Sequence, residues 1–379
     1  MKIYEINPKS DFDKLAGYIG ASAAGAIIMH KKSEIKFILL KDIKAAAANI
    51  LKQDALSVGA DLLTHKDTIL GGRDKFQAVL MATPAQLKIL AKKESAQDFS
   101  LKELAKFLSA SSYEPSGVSI MGVVNINEDS FNPASRKSGV AAIEKIEQMI
   151  KAGASYVDIG AVSSRPGSEY IGAEAEFARL KWLLDEIYRL KIYENVRLSL
   201  DSFDEHCLEY ALDRGFSFIN DISANENLAF LAAKYDVPLC IMHMQGNPKN
   251  MQDSPHYDDL LGEISDFFTA KIAAAKDRGA KKIVLDVGIG FGKTAEHNML
   301  LIKHLSHFNR LGYPLLVGAS RKSVINAFYK SDVKDRLAGS LFLHLMAAQN
   351  GAEIIRTHDV AEHAQLFALN DAYNDINLW

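Results

Sequence analysis

Eight short apolar runs alternate with longer, helix-like stretches over the last two-thirds of this chain. Segments with helical periodicity, such as residues 141–152, 173–190 and 260–278, separate most of the runs. Strand and helix alternating eight times is typical of an α/β protein with a (β/α)8 or TIM barrel, whose parallel strands close on themselves. The runs that we interpret as its strands are residues 118–124, 156–159, 196–200, 216–219, 238–242, 282–285, 314–317 and 352–355.

Polar residues at the ends of these predicted strands indicate where the chemistry takes place. In (β/α)8 barrels the C-terminal ends of the strands and the loops that follow them form the active site. We therefore expect a pocket lined by the residues at those ends, which are Asn125, Asp158, Asp201, Asn220, His243, Asp286, Ser320 and Arg356.

A smaller domain is expected before the barrel, because 379 residues exceed one average domain. Serine, proline and glycine cluster in residues 109–117 and favour a boundary there. The segment before this cluster mixes a strand-like run at residues 35–40 with helical patterns. We predict a small α+β domain of unknown role over residues 1–115 and the barrel over residues 116–379.

The composition argues against several classes of partner. A net charge of −3 gives no electrostatic basis for binding nucleic acid or an anionic membrane. The mildly apolar segment 15–29 is too short to span a bilayer, and we expect a buried element there. Cys207 and Cys240 have no metal-ligand spacing, so we interpret them as reduced, buried thiols of a cytoplasmic protein.

The first two strand ends carry residues suited to a metal ion and to an anion. Asn125 offers a neutral amide oxygen, which Mg²⁺ accepts when substrate phosphates supply the other ligands; a turn asparagine is the alternative. After the second strand, Ser164 and Arg165 precede a Pro-Gly turn, and the planar guanidinium of Arg165 can grip a phosphate. Taken alone, Arg165 is more typical of a solvated loop.

The middle strands end in residues that can bind a flat, polar ligand. Asp201 and Asn220 emerge from neighbouring strands and can share one ligand, although N-capping of the next helices explains them equally well. Asp286 is followed by a glycine loop and Phe291. The G-x-G-x-G spacing of that loop differs from the G-x-G-x-x-G of dinucleotide-binding folds, so we reject a dinucleotide site. The glycines instead allow the backbone to approach a flat ligand closely.

The last two strands supply positive charge. Ser320 and Lys322 lie at the start of a predicted helix, where cationic side chains and backbone N–H groups form an anion site. Arg356 and His358 alternate along the eighth strand, so both side chains face the barrel mouth. Packing alone does not explain a second cation pair at one mouth, because unpaired buried charge is unfavourable.

Together these segments resemble dihydropteroate synthase, a family of pterin-binding barrels in bacterial folate biosynthesis. The resemblance runs from Gly117 to Trp379, whereas the first 115 or so residues lie outside the common core of the family. It rests on eight motifs in family order, which are MGVVNINEDSF, DIGAVSSRPGS, LSLDS, INDIS, MHMQGNP, DVGIGFGK, GASRKS and RTHDV.

The resemblance implies a reaction, a cofactor and an assembly. The family condenses 6-hydroxymethyl-7,8-dihydropterin pyrophosphate with p-aminobenzoate to 7,8-dihydropteroate and pyrophosphate. Mg²⁺ would be the cofactor, a homodimer the assembly, and sulfonamides would compete as mimics of p-aminobenzoate. A methyltetrahydrofolate-binding methyltransferase and a non-catalytic pterin-binding protein are the alternatives. Neither alternative needs residues that bind pyrophosphate. The motifs retain such residues at Arg165, Lys322, Arg356 and His358.

The resemblance also implies a role for each candidate residue. Asp286 and Asn220 would bind the amino-pyrimidine edge of the pterin, and Asp201 would face the reacting methylene. Catalytic roles would fall to Asp201, Lys322 and Arg165. The other assignments are Lys322 on the pterin carbonyl and ring nitrogen, Met242 and Phe291 flanking the ring, Ser164, Arg356 and His358 on the pyrophosphate, Asn125 on Mg²⁺, Arg165 closing over both substrates and Ser320 at the aminobenzoate carboxylate.

Three positions depart from the usual pattern of the family. Asn127-Glu128 replace Thr-Pro in the first loop, Ala161-Val162 replace Gly-Glu in the second motif, and Val287 replaces Pro after the sixth strand. None of these changes removes a residue with an assigned contact. They bear on the conformation of the first loop, next to the aminobenzoate site.

Overall fold

The chain divides into two compact units. One comprises Met1–Ser111 together with Asp371–Trp379, and the other comprises Ser112–Asn370. The division falls inside the segment 109–117, whose composition suggests a boundary. The computed structural model describes residues 1, 3–8, 10–72, 75–126, 136–162, 170–247 and 249–376, without the side chains of residues 136–138.

The first unit is a small α+β domain, as predicted. Its sheet is antiparallel with strand order β1-β3-β2. Alternate residues of the central strand, Leu80 among them, pack against Leu51 and Leu90 of two helices and form the core. Its strands are β1 Lys36–Lys44, β2 Asp61–Thr64 and β3 Lys75–Ala82, and its helices are α1 Phe12–Tyr18, α2 Ala23–His30, α3 Ala45–Ser57, α4 Pro84–Glu94 and α5 Leu101–Ser109, with a 3-10 turn at Lys66–Leu70.

The segment 15–29 is not the buried element that we expected. It forms most of α1 and α2, and no residue of α2 is buried. The side chains of Ile27, Ile28 and Met29 are exposed by 61%, 58% and 52%. These apolar residues follow one another directly instead of recurring at helical spacing, so they form no single stripe that a core could cover.

The second unit is a closed barrel of eight parallel strands, which confirms the predicted (β/α)8 fold. The strands close in the order β10-β11-β4-β5-β6-β7-β8-β9. They are β4 Ser119–Asn125, β5 Tyr156–Gly160, β6 Arg197–Asp201, β7 Phe218–Asp221, β8 Leu239–Met242, β9 Ile283–Asp286, β10 Leu315–Val317 and β11 Ile354–Thr357. The helices are α6 Arg136–Lys151, α7 Ala173–Arg189, α8 Glu205–Leu212, α9 Leu228–Tyr235, α10 Leu260–Asp277, α11 Ala295–Lys303, α12 Ser306–Asn309, α13 Ser323–Phe328, α14 Leu337–Gln349 and α15 Val360–Asp375, with 3-10 turns at Ile192–Glu194 and Val333–Asp335.

Side chains fill the interior of the barrel. Tyr156 and Phe218 meet there edge to face, with ring centroids 5.7 Å apart. A larger apolar layer packs the outer faces of the strands against the helices, with Ile146, Leu180 and Phe268 fully buried in it. The interior cluster comprises Met121, Tyr156, Phe218, Cys240, Val284, Leu316 and Ile354. Because the interior is filled, a ligand can reach the polar strand ends only through the mouth.

The register of the parallel strands brings their polar ends together. Asp201 pairs with Gly160 on one side and with Asn220 on the other, and Met242 pairs with Asp286. The strand ends that the sequence singles out are therefore neighbours around one rim. Among the described helices, none combines the length and the apolar surface that a membrane crossing requires.

Candidate active site

Asp158 is a fully buried carboxylate near the C-terminal end of β5. It accepts hydrogen bonds from Ser199 Oγ at 2.6 Å, Asn220 Nδ2 at 2.9 Å and Arg356 Nε at 2.7 Å. A buried polar group without partners is strongly unfavourable, and these three bonds satisfy both oxygens of the carboxylate. They also hold Asn220 and Arg356 in fixed positions on opposite sides of the barrel.

Arg356 connects Asp158 to a second carboxylate, that of Asp201. Arg356 Nη2 donates to Asp201 Oδ2 at 2.8 Å, so one guanidinium lies between two acids. Burial raises the pKa of Asp201 to about 7, with the charge of Arg356 opposing this shift and that of Asp158 adding to it. Asp201 therefore changes protonation near neutral pH.

Asp286 and Lys322 form a second charged group at the mouth. The buried Asp286 accepts the Gly288 N–H at 2.8 Å, and burial raises its pKa while Lys322 opposes the shift. Lys322 Nζ donates to the Ile289 carbonyl and lies 4.5 Å from the centre of the Phe291 ring. Burial lowers the pKa of Lys322 to about 8, and Asp286 is the main opposing charge.

The glycine loop after β9 is packed closely against the loop after β8. Gly288, Gly290 and Gly292 have φ angles of +67°, +83° and +61°. A Cβ atom on Gly288 would lie 2.0 Å from the carbonyl oxygen of His243, and one on Gly292 would lie 2.4 Å from that of Gln245. The glycines are thus required by left-handed backbone and by contact between two loops.

The buried side chain of Lys293 connects the same two loops. Its buried ammonium lies 3.0 Å from His243 Nδ1, and it donates to the carbonyls of His243 at 3.2 Å and Phe291 at 2.9 Å. Burial lowers the pKa of Lys293 to about 7, with Asp286 opposing, and burial lowers the pKa of His243 to about 3. A neutral His243 ring therefore accepts from Lys293.

Ser320 and His358 meet at the rim of the mouth. Ser320 Oγ lies 2.9 Å from His358 Nδ1 and accepts the His358 N–H at 3.3 Å. Desolvation within the mouth and the charge of Arg356 lower the pKa of His358, so it faces the mouth as a neutral donor and not as a second cation. Arg321 offers no spare charge here, because its Nη2 and Nε bind both oxygens of Asp359 at 2.6 and 2.9 Å.

Asn125 ends β4 and is half-buried. In the ranges of the chain that the structure covers, no group of three or more His, Cys, Asp or Glu side chains could hold a metal ion by itself. A single amide oxygen fits a Mg²⁺ ion that takes its other ligands from phosphate and water.

Most of the predicted site residues lie around this one mouth. Met242, which we expected beside the ligand, ends β8 next to Asp286 in the register. Ser164 and Arg165 lie outside the described residues, as do the altered positions Asn127 and Glu128. The residues at the mouth are Asn125, Asp201, Asn220, Met242, Asp286, Phe291, Ser320, Lys322, Arg356 and His358. Their individual roles stay predictions.

The sequence does not assign roles to three residues that organise the mouth. Asp158 and His243 appear only as strand ends, and Lys293 appears only as the end of the glycine loop. A signal for Asp158 is available, because period-two alternation along β5 places it on a different face from Val157 and Ile159, which belong to the outer apolar layer. No comparable signal exists for Lys293.

Known proteins resemble this chain along most of its length. A family model described as pterin binding enzyme matches residues 121–358. A bifunctional dihydropteroate synthase/dihydropteroate reductase from Helicobacter pylori is 42% identical over 342 residues, which cover 89% of this chain and 90% of that protein. The dihydropteroate synthase of Escherichia coli is 36% identical over 272 residues, covering 70% of this chain and 95% of that protein. The solved structure of the Yersinia pestis dihydropteroate synthase with a sulfonamide drug has a TM-score of 0.64 and 35% identity, covering 69% of this chain and 96% of that one.

The chain therefore belongs to the family of pterin-binding enzymes. The site described above lies within the matched residues. Its activity is that of a dihydropteroate synthase, a transferase of folate biosynthesis. The resemblance that the eight motifs indicate is confirmed.

Proposed function

We propose that this site condenses 6-hydroxymethyl-7,8-dihydropterin pyrophosphate with p-aminobenzoate to give 7,8-dihydropteroate and pyrophosphate. The observation that carries the proposal is the distribution of charge across one mouth. Arg356 lies between Asp158 and Asp201, while Lys322 and Asp286 influence each other's pKa. A ligand with an anionic end and a planar, polar ring complements this pattern.

The pterin ring is held at its edge and covered on its faces. Asp286 accepts N–H groups of the amino-pyrimidine edge, and Asn220 offers its carbonyl oxygen to the same edge because its amide nitrogen is bound within the site. Lys322 donates to the pterin carbonyl. Met242 and Phe291 supply apolar contacts to the ring.

The reaction requires opposite charges on the two sides of the breaking C–O bond. Pyrophosphate departs from a methylene attached to the electron-rich dihydropterin, which leaves a delocalised cation. Arg356 stabilises the departing anion and Asp201 stabilises the cation, as preorganised electrostatics requires. Since these side chains are 2.8 Å apart in the free enzyme, the pyrophosphate of the substrate inserts between them. The neutral aniline nitrogen then forms the C–N bond and loses one proton to water at the barrel mouth.

The remaining residues complete the two ligand sites. His358, through Nε2, and Ser164 bind the pyrophosphate. Asn125 would be a ligand of Mg²⁺, and the ion would supply positive charge next to the same group. Ser320 binds the aminobenzoate carboxylate through its backbone N–H, since its hydroxyl is engaged with His358. Arg165 is assigned to contact with both substrates by the resemblance to the family.

Pyrophosphate release tests this proposal directly. Dihydropterin pyrophosphate and Mg²⁺ are supplied with and without p-aminobenzoate, and pyrophosphate and dihydropteroate are both quantified. We expect aminobenzoate to stimulate release, with one dihydropteroate formed per pyrophosphate, and chelation of Mg²⁺ to lower the rate. Asp286→Asn is the negative control, because it removes the charged acceptor for the pterin edge. Tight pterin binding without release would contradict the proposal.

Reduction of dihydropteroate is a second candidate function. The Helicobacter pylori relative is named a reductase as well as a synthase, and its alignment of 342 residues is too long to be confined to the barrel unit at 112–370. The similarity therefore extends into the N-terminal domain. We propose that the full chain also adds a hydride and a proton to 7,8-dihydropteroate, with an external hydride donor.

Oxidation of a reduced nicotinamide nucleotide tests the second function. The full chain is mixed with 7,8-dihydropteroate and the nucleotide, and absorbance of the nucleotide is followed. We expect oxidation that depends on dihydropteroate and yields tetrahydropteroate in equal amount. The absence of any dependence on dihydropteroate, with either common nicotinamide nucleotide, would reject this function.

We also propose a homodimer and a cytoplasmic location. Exposed apolar side chains on α13 and α14 support the dimer, among them Phe328 and Phe342, which are exposed by 57% and 55%. The free, buried thiols of Cys207 and Cys240 support a reducing compartment.

A further inference from the structure

Two side chains of α14 bind the backbone of the loop after β10, residues 318–322, which we name the β10 loop. Ser340 and His344 lie one helical turn apart on α14, and both are fully buried. The Ala319 N–H donates to His344 Nε2 at 2.8 Å, and the Arg321 N–H donates to Ser340 Oγ at 2.8 Å. The amides on both sides of residue 320 are therefore bound from behind the loop.

The β10 loop has a backbone conformation that needs such support. Arg321 has a φ angle of +54°, which is unfavourable for a residue with a Cβ atom. Its carbonyl accepts from Arg336 Nη1 at 3.1 Å, and its guanidinium is bound to Asp359. Strained residues of this kind persist where the surroundings hold them, and they concentrate at functional sites.

His344 is itself fixed by a second buried histidine, His363. The Ala319 N–H can only donate, so His344 Nε2 accepts and the ring carries its hydrogen on Nδ1. That Nδ1 lies 2.7 Å from His363 Nε2, and His363 Nδ1 lies 2.6 Å from the Asp359 carbonyl, which can only accept. Both rings are therefore neutral Nδ1–H tautomers. The chain of bonds joins the β10 loop to the loop after β11.

We propose that Ser340, His344 and His363 are positioning residues of the synthase reaction. They contact no substrate in the roles given above. They fix the β10 loop, and with it the two loop residues assigned to the aminobenzoate carboxylate and the pterin carbonyl. The inference rests on those two assigned roles, and it adds residues outside the mouth to the machinery that binds the substrates.

Steady-state kinetics of two His344 variants test the proposal. His344→Leu removes the acceptor for the Ala319 N–H, whereas His344→Gln retains an oxygen acceptor near the Nε2 position. We expect KM for both substrates to rise about tenfold in His344→Leu, which equals about 1.4 kcal/mol or one hydrogen bond. The value of kcat should fall as well, but by less than KM rises, because Lys322 has a catalytic role whereas Ser320 contacts only the aminobenzoate carboxylate. His344→Gln should restore KM.

His307→Leu is the matched control for loss of a histidine. His307 is half-buried, and its Nε2 lies 3.0 Å from Ser265 Oγ, away from the β10 loop. We expect a lower Tm with unchanged KM. If His344→Leu does not fold, Ser340→Ala tests the same loop, and it should raise KM in the same way.

Three outcomes would overturn the proposal. One is an unchanged KM in a folded His344→Leu or Ser340→Ala variant, and another is a His344→Gln variant as impaired as His344→Leu. The third is an Nε2–H tautomer of His344 in ¹⁵N NMR spectra of the histidine-labelled wild-type enzyme, a result that does not depend on any substrate role. Lys322→Ala separates the two levels. An unchanged KM in Lys322→Ala would reject the assigned substrate role, whereas a raised KM there together with an unchanged KM in a folded His344→Leu variant would reject only the positioning proposal.

Discussion

At the scale of single residues, Arg356 is the group that the proposed mechanism requires to exchange a partner when substrate binds. In the free enzyme its guanidinium is bonded to Asp158 at 2.7 Å and to Asp201 at 2.8 Å. A buried arginine without partners would be unfavourable, and so would two buried acids without a cation. Arg356 therefore offsets the negative charge of both acids until an anionic ligand competes for it.

Arg356→Ala should discriminate between two forms of the pterin. We expect the affinity for dihydropterin pyrophosphate to fall about tenfold to hundredfold, since a charged hydrogen bond contributes about 1.5–3 kcal/mol, while the affinity for the alcohol form changes little. Isothermal titration calorimetry with both ligands measures the difference. Arg214→Ala is the control, because Arg214 pairs with Asp185 at 2.7 Å outside the mouth. Equal losses for the two ligands would contradict the anion role.

Activity should depend on pH through Asp201 and Lys322. Burial raises the pKa of Asp201 to about 7 and lowers that of Lys322 to about 8. The proposed mechanism uses Asp201 ionised and Lys322 protonated, so we expect kcat/KM to rise through about pH 7 and to fall above about pH 8. Asp201→Asn should lose the acidic limb together with most of the rate, and Lys322→Arg should shift the alkaline limb upward. A flat profile of kcat/KM between about pH 6 and about pH 9 would show that these groups do not control the reaction.

The raised pKa of Asp201 also affects stability, which should fall with pH where activity rises. The folded-state pKa lies above the unfolded value of about 3.9, so the folded protein binds the extra proton between about pH 4 and about pH 7. The contribution of Asp201 to the free energy of unfolding therefore falls as the pH rises through this window. In the proposed mechanism the ionised form, which contributes less to stability, is the form that acts in catalysis.

The sequence predicts residues at the ends of strands better than buried residues that hold the neighbouring loops in place. Asp201, Asn220 and Asp286 could be identified because each follows an apolar run directly. Lys293 and His344 could not be identified, because the sequence alone does not distinguish a buried lysine or histidine from a solvated one. Their partners, 50 and 19 positions away in the chain, are known only once the fold is known.

At the scale of elements, the strands were predictable because both faces of each barrel strand are buried. Such strands give continuous apolar runs, and the observed bounds differ from the predicted ones by only a few residues. The sequence of the loops between the strands is instead constrained by close contacts between the backbones of neighbouring loops. The glycines after β9 illustrate this, since their G-x-G-x-G spacing reflects contact with the loop after β8.

Two substitutions in this loop should separate folding from ligand binding. In Gly288→Ala the new Cβ would lie 2.0 Å from a backbone carbonyl, so we expect a loss of about 3 kcal/mol or more in the free energy of unfolding. In Gly290→Ala the nearest atom is Cδ of the flexible Lys322 side chain at 3.1 Å, so the positive φ should cost only about 1 kcal/mol while pterin affinity falls. Urea unfolding and calorimetry measure the two effects. Equal destabilisation by both variants would show that the carbonyl contact does not matter.

At the scale of the whole molecule, the barrel unit carries several large aromatic side chains that are exposed and not covered by its own core. Phe328, Tyr329 and Phe342 are exposed by 57%, 77% and 55% on α13, at its end and on α14. Clusters of exposed aromatic residues are typical of protein interfaces. We place the proposed dimer interface at these helices.

Phe342→Glu should convert the proposed dimer into a monomer. A buried, unpaired carboxylate at the centre of an interface is strongly unfavourable, so we expect about half the mass in light scattering coupled to size-exclusion chromatography. Phe230→Glu is the control, because Phe230 is exposed by 60% on α9, a different helix. A wild-type enzyme that is monomeric at micromolar concentration would rule out this interface.

The bond between Arg356 and Asp201 has a consequence for turnover. Inorganic phosphate would have to break that bond to reach Arg356, and it has no ring with which to engage Asp286 in return. It should therefore compete poorly with the complete substrate. After the reaction, pyrophosphate is no longer tethered to the pterin, and Asp201 competes with it for Arg356 at 2.8 Å. We therefore expect the bond between Arg356 and Asp201 to favour release of pyrophosphate when it forms again.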